Sequence, residues 1–396
     1  MSAEAAFLEK VRLNIRLNYL YTTLVNTGLD KGVWMLFLSY RGMGLVEIGV
    51  IEAAFQASSL VFGIPAGAAS DLIGRKFSLV VSVVAKIVGY ALILFSHDVP
   101  GFAAGFALNA LSVVLYQGAS ESLTYDSCKL TGQEGSYKRI YGNILAATFA
   151  ATALGIAAGG LIASVSFEWM YYACIAMLAC ALVPAALFTE TRDLAGGRSR
   201  PRVAELFSRS VRLITGNPVI LYLLVISAAV TVIDQTIYMY CQAYFESMAI
   251  PLYLIGLILC VDSVFAALGA RYAYKLERVR NRDVVLLIPA TIVAAYALLA
   301  LFDSPAVAVL LWTATVFVVG FWPIISELVN DRVPAESRAT VLSLKAQMSS
   351  LGIMVVFPAL GFIASLSSLS TAFLWLLVAA IPILVYCLVK IRKLAF

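Results

Sequence analysis

Apolar residues in this chain fall in long runs rather than alternating with polar ones, and the length of those runs is the first structural signal. The segment 77–96, for example, carries one charge, Lys86, in an otherwise apolar or hydroxyl-bearing stretch. A helix rises 1.5 Å per residue, so about 20 such residues cross the hydrocarbon of a bilayer. Twelve runs reach that length, at roughly 17–40, 46–70, 77–96, 102–127, 139–164, 168–188, 218–245, 252–274, 284–301, 305–328, 342–365 and 369–389. The pattern predicts an all-α membrane protein of 12 transmembrane helices. The first run holds Asn26 and Asp30 and lacks a small-residue cleavage site, so it is expected to stay as an uncleaved helix.

Composition agrees. The chain is 62% hydrophobic and 13% charged, with a mean hydropathy of +0.92, against about a quarter charged in a soluble domain. Its surface is therefore expected to face a lipid bilayer. Twelve spans put both termini and alternate loops on one side, and that side collects 25 of the 28 lysines and arginines. Short basic loops stay cytoplasmic. The expectation is a multi-pass protein of the inner (cytoplasmic) membrane with both termini in the cytoplasm. The +5 net charge is thus a topology signal, and a nucleic-acid partner is not expected.

The chain also repeats. Glu47-Ile48-Gly49-Val50-Ile51 returns as Leu254-Ile255-Gly256-Leu257-Ile258, and Gly63–Lys76 aligns without gaps on Gly269–Arg282, which sets Asp71 against Glu277. Asp30 in the first run stands 204 residues before Asp234 in the seventh. The repeat predicts two pseudo-symmetric six-helix bundles: an amino half (1–188), a solvated basic cytoplasmic linker (189–217) and a carboxyl half (218–396).

Between the second and third runs lies Gly67-Ala-Ala-Ser-Asp71-Leu-Ile-Gly74-Arg75-Lys76. Read as G-x-x-x-D-x-x-G-[RK]-[RK], it resembles the signature loop of the major facilitator superfamily, departing only at Leu72, where a basic residue is usual. In that family the loop clamps one half to a neighbouring helix of the other. The resemblance gives Gly67, Asp71, Gly74, Arg75 and Lys76 a gating role, with Asp71 at a helix amino terminus and held by a cation. In the fifth run, Gly142, Ala151, Gly155, Ile156, Gly159 and Gly160 follow the spacing of the family's antiporter motif, with one glycine and the proline replaced. Small-residue packing explains the same stretch equally well. A third family pattern, Leu111-x-x-Val114-x-x-Gln117-Gly118, has Val114 in place of its arginine. Any proton coupling must then use other groups.

Charge inside a membrane is costly enough to require a reason. Asn18, Thr22, Asn26 and Asp30 recur every four residues and are expected on one helical stripe. Asp234, Gln235, Tyr238 and Gln242 answer from the seventh run, with Glu52 in the second, Glu121 in the fourth and Asp262 in the eighth. These read as lining for a polar cavity where carboxylates exchange protons with substrate. Buried Lys86 is expected to pair with a carboxylate, Glu52 or Glu121. The six cysteines carry no C-x-x-C, so neither metal nor disulfide is expected, and no nucleotide loop G-x-x-x-x-G-K-[ST] occurs.

Carboxylates, with Tyr116, Tyr238, Tyr240, Tyr244 and Trp322 as aromatic surface, suit amphipathic or cationic organic molecules. With the antiporter spacing, this looks like a drug/proton antiporter of the twelve-helix group, exporting a small organic substrate against inward proton flow. It would work as a monomer, without cofactor, on the proton gradient. The alternatives are a sugar or metabolite carrier on the same fold and a non-transporting membrane receptor. None of these readings makes the chain an enzyme.

Overall fold

The computed structural model describes residues 3–191, 212, 214–272, 281–302, 304–319, 332–334 and 338–393, with backbone alone at 3–5, 64–72, 270, 281–282, 284–285 and 338–339. Every described element is helical: α1 (Ala3–Asn26), α2 (Trp34–Tyr40), α3 (Leu45–Ile73), α4 (Arg75–Phe95), α5 (Val99–Leu130), α6 (Tyr137–Ala163), α7 (Phe167–Leu187), α8 (Pro218–Ser247), α9 (Leu252–Tyr272), α10 (Asn281–Leu301), α11 (Pro305–Val319), α12 (Arg338–Leu366) and α13 (Leu369–Lys393). Among the described residues, nine helices are long and apolar enough to cross a membrane, and Leu286–Leu301 and Pro305–Val319 are shorter apolar helices. Exposed Phe95, Phe149, Leu154, Leu310, Val355 and Leu366 give the helices an apolar exterior, as a lipid solvent requires.

Helix starts follow local chemistry. Asp98 accepts from the Gly101 amide (3.1 Å) ahead of Pro100, and Asn217 accepts from the Val219 amide (3.1 Å) ahead of Pro218. Both satisfy amides that a helix leaves open, beside a proline that has none to lose.

The chain forms two compact units: Met1–Gly42 with Ala54–Ser199 and Pro251–Leu259, and Met43–Ala53 with Arg200–Ile250 and Cys260–Phe396. Helices α3 and α9 therefore each contribute to both units. The two copies of the short repeat provide the contacts. In the second unit a Cβ at Gly49 would lie 2.6 Å from Pro358 Cα of α12. In the first, one at Gly256 would lie 3.0 Å from Gly160 Cα of α6. Each repeat glycine marks a backbone-to-backbone crossing of the kind small residues permit in lipid.

In the first unit α1 is zipped to α5. Asn18 donates to Thr124 Oγ1 (2.7 Å) and accepts from Ser120 (3.1 Å), while Asn14 donates to Ser127 Oγ (3.2 Å) and to Thr189 O (2.8 Å). In the second unit the Tyr240 ring stacks on Phe357 of α12 (centroids 4.3 Å) and its hydroxyl donates to Phe357 O (3.0 Å). The Tyr244 hydroxyl donates to Leu299 O (2.8 Å).

Candidate functional site

The first run is not one helix. It breaks at residues 27–33, between α1 and α2, where Gly28 takes φ +58°. Asp30 therefore leaves the stripe of Asn18, Thr22 and Asn26, and the expected continuous helix is corrected. The stripe itself is spent on packing: Asn18 on α5, Thr22 and Asn26 on their own preceding turn. A broken helix must satisfy the carbonyls it frees. Thr152 of α6 donates to Asn26 O (2.6 Å), and Lys86 of α4 donates to Val25 O (2.7 Å). An ammonium at a helix carboxyl end meets the negative pole of the helix dipole. Lys86 is thus held by a carbonyl, beside the Tyr90 ring (5.8 Å), and the carboxylate partners expected at Glu52 and Glu121 are replaced by it. Asp30 accepts from the Tyr90 hydroxyl (2.8 Å). The space among Val25, Gly28, Lys86, Tyr90 and Cys174 is only about 10 Å³, the size of one water at most.

The antiporter-like glycines explain how the break fits. A Cβ at Gly155 would collide with the Thr27 carbonyl, and one at Gly159 with the Leu29 carbonyl. α6 is smooth where the unwound segment lies against it. A Cβ at Gly142, in the same spacing, would meet nothing within 4 Å.

The second unit holds the larger space. A cavity of about 520 Å³ is lined by Thr231, Asp234 and Gln235 of α8, Lys345, Ser349 and Ser350 of α12, and apolar Val230, Ile292, Val319, Leu342 and Ile353. Asp234 accepts from the Tyr296 hydroxyl of α10 (2.7 Å) and from its neighbour Gln235 (3.5 Å).

The two units carry the same contacts at fixed offsets. Asp30–Tyr90 matches Asp234–Tyr296. Trp34–Phe106 (5.3 Å between centroids) matches Tyr238–Trp312 (6.0 Å), and Tyr40–Phe167 (5.2 Å) matches Tyr244–Phe373 (5.5 Å). The first member of each pair is 204 residues from its counterpart and the second 206. The same offset puts Ile292 where the first unit has Lys86, and Ile292 is the residue that faces the cavity.

Of the other expected site residues, Gln235 joins Asp234 on the cavity wall. Tyr238 stacks on Trp312, and Gln242 is buried on α8; neither lines the cavity. Glu52 is buried near Tyr240. Glu121 is exposed and accepts from Tyr137 (3.4 Å), apart from the Asp30 cluster. Tyr240 and Tyr244 spend their hydroxyls on backbone carbonyls and are core residues. Trp322 and Glu277 lie outside the described residues, as does most of the linker.

At the signature loop, Arg75 pairs with buried Asp126 of α5 and donates to Ser122 O (3.2 Å). Glu190, which drew no attention in the sequence, accepts from the Lys76 amide (3.0 Å) and sits where a side chain at Gly74 would stand, 2.5 Å from an ideal Cβ. The side chain of Asp71 lies outside the described residues. The described cysteines are all free thiols. Tyr296 and Trp312 were missed because a hydrogen-bonding aromatic in an apolar run gives no polar signal.

Comparison with known proteins fits this geometry. The chain is 21% identical over 375 residues to the MFS-type transporter YxaM of Bacillus subtilis (strain 168), across 91% of this chain and 92% of that protein. It superposes on a mutant of the nucleoside transporter NupG with a TM-score of 0.81 at 13% identity, covering 96% of this chain and 99% of that one. On a D-xylose-proton symporter the TM-score is 0.70 at 14% identity, covering 95% and 97%. Likeness at such identities speaks for fold alone. The family model of the Major Facilitator Superfamily, however, matches residues 20–355, and this chain belongs to that superfamily of membrane transporters.

Proposed function

We propose that the protein is a secondary transporter that moves a small polar organic solute, bound in the cavity of the second unit, by proton-coupled alternating access. The observation that carries this reading is the lining of that cavity. Asp234 and Lys345 offer both signs of charge, and Gln235, Thr231, Ser349 and Ser350 offer amide and hydroxyl groups, between apolar walls. At about 520 Å³ the space suits a nucleoside- or sugar-sized molecule. Mixed charge and hydroxyls match a neutral or zwitterionic solute rich in its own hydrogen-bonding groups. The names of the two structural neighbours, a nucleoside transporter and a D-xylose-proton symporter, point the same way.

Export of a cationic amphiphile is the second reading. Asp234 beside Val230, Ile292, Val319, Leu342 and Ile353 favours it. Lys345 in the same wall opposes it, because a cation held at Asp234 meets an ammonium as well. In either case the working protein is taken to be a monomer in the cytoplasmic membrane, with both termini in the cytoplasm.

The test is flux into proteoliposomes under an imposed proton gradient, with uridine, D-xylose and a tetraphenylphosphonium salt side by side. Uptake of a hydroxylated solute that is lost in Asp234→Asn and in Lys345→Gln supports the polar-solute reading. Movement of the lipophilic cation alone, undiminished by Lys345→Gln, supports export instead. Gradient-independent binding of a solute without flux turns the protein into a receptor on a transporter fold.

A further inference from the structure

Next to the cavity, but not on its wall, α9 carries a second carboxyl group in an unusual setting. Asp262 is 2% exposed. The Trp312 indole of α11 donates to its Oδ2, while Oδ1 has no hydrogen-bond partner. The Thr313 hydroxyl stands beside the carboxyl and donates to Val309 O (2.9 Å). No described lysine or arginine forms an ion pair with Asp262. The groups facing it are Tyr238, Cys241 and Cys260, with Tyr296 beyond, all uncharged near neutrality. Around Trp312 stand the rings of Tyr238, Phe245 and Tyr296, with centroids at 6.0, 5.7 and 6.1 Å.

A charged carboxylate in this box keeps one oxygen desolvated and unmatched, a costly state for a buried polar atom. A neutral acid costs less here: it brings no charge to desolvate, and Oδ2 still accepts from Trp312. The repeat adds a second argument. The positions 206 residues before Asp262 and Trp312 are Gln56 and Phe106, so the first unit keeps the amide-sized and aromatic shapes and lacks the titratable group.

We propose that Asp262 is a proton-holding site, which takes a proton on Oδ1 when dry and returns it to water when the box is wetted. One O–H bond forms and the same bond later breaks, with water as donor and acceptor. A route from the solute exists within this unit. Tyr296 donates to Asp234 on the cavity wall, and its ring lies against Trp312, which holds Asp262. A solute that draws Asp234 away from Tyr296 loosens the wall of the box. The transport role of this site rests on the function proposed above; its protonation does not.

The experiment is infrared spectroscopy of the purified protein, titrated from acid to alkaline pH without solute. The expected result is a carboxylic-acid carbonyl band that fades as pH rises, is lost in Asp262→Asn and is shifted in Trp312→Phe, which removes the donor to Oδ2. A band set unchanged by Asp262→Asn overturns the proposal, and so does a band of Asp262 that never fades. Should Asp262→Asn fail to fold, Trp312→Phe decides: an unshifted spectrum overturns, a shifted band supports. Absence of flux for every solute tested would sink the transport reading while leaving this spectral result standing.

Discussion

At the scale of single residues, the two aspartate–tyrosine pairs look alike and have different surroundings. Tyr90 of the first pair lines a space of about 10 Å³ beside Lys86, and Asp234 of the second lines one of about 520 Å³. Tyr90→Phe is therefore expected to lower stability alone, whereas Tyr296→Phe should change solute affinity and the pH profile of flux. Equal effects of both on the pH profile would contradict the distinction. Lys86 should behave as a structural cation. Lys86→Met removes a charged hydrogen bond to the end of α1, which contributes roughly 1.5–3 kcal/mol, and should lower the melting temperature in detergent. The sequence made Asp30 and Asp234 visible, because a charge in an apolar run stands out and recurs at a fixed interval. Their tyrosine partners stayed hidden, since a tyrosine in such a run reads as packing. The partner of Lys86 was hidden for another reason: it is a main-chain carbonyl, which no residue type marks in a sequence.

At the scale of elements, the break between α1 and α2 and the smooth face of α6 are one feature. Averaged hydropathy sees 17–40 as continuous because the break, Thr27-Gly-Leu-Asp-Lys-Gly-Val33, is short and apolar residues flank it on both sides; the backbone at Gly28 and the carbonyls that need outside donors reveal it. The spacing of glycines in α6 was legible, but its use was not, as packing partners from another helix are absent from a pattern. That use predicts a sharp contrast within one motif. Gly159→Val would drive a side chain into the Leu29 carbonyl and should abolish the folded, monodisperse protein. Gly142→Ala meets nothing within 4 Å and should be neutral or stabilising by up to about 1 kcal/mol, the helix-propensity difference between the two residues. Size-exclusion profiles and melting temperatures of the two variants check this. A role for the motif that depended on glycine spacing itself would make both variants fail together.

At the scale of the molecule, the repeat gave two similar sets of contacts, and the function proposed here comes from where the sets differ. Lys86 fills one site and Ile292 opens the other; Gln56 is neutral where Asp262 can titrate. The signature loop adds a difference of its own, because Arg75, Asp126, Ser122 and Glu190 all belong to the first unit. The family resemblance marked Arg75 and Lys76 from sequence alone, yet Asp126 could not be matched to the one, nor Glu190 to the amide of the other, without knowing that α5 and the residues after α7 meet the start of α4. Arg75 and Asp126 are both largely buried, at 12% and 7% exposure. Removing Arg75 then leaves the desolvated Asp126 carboxylate without its cation, at a cost of roughly 3–5 kcal/mol. Arg75→Met and Asp126→Leu should each lower the melting temperature strongly. The double variant should recover much of the loss seen in Arg75→Met, because the Asp126 carboxylate left behind in that variant is gone. Additive losses in the double variant would mean that the two residues act separately, and that Arg75 is held mainly by the Ser122 carbonyl. Recovery of stability with flux still impaired would assign the pair to the switch between access states, since an apolar pair can hold the helices together but cannot exchange partners as they move.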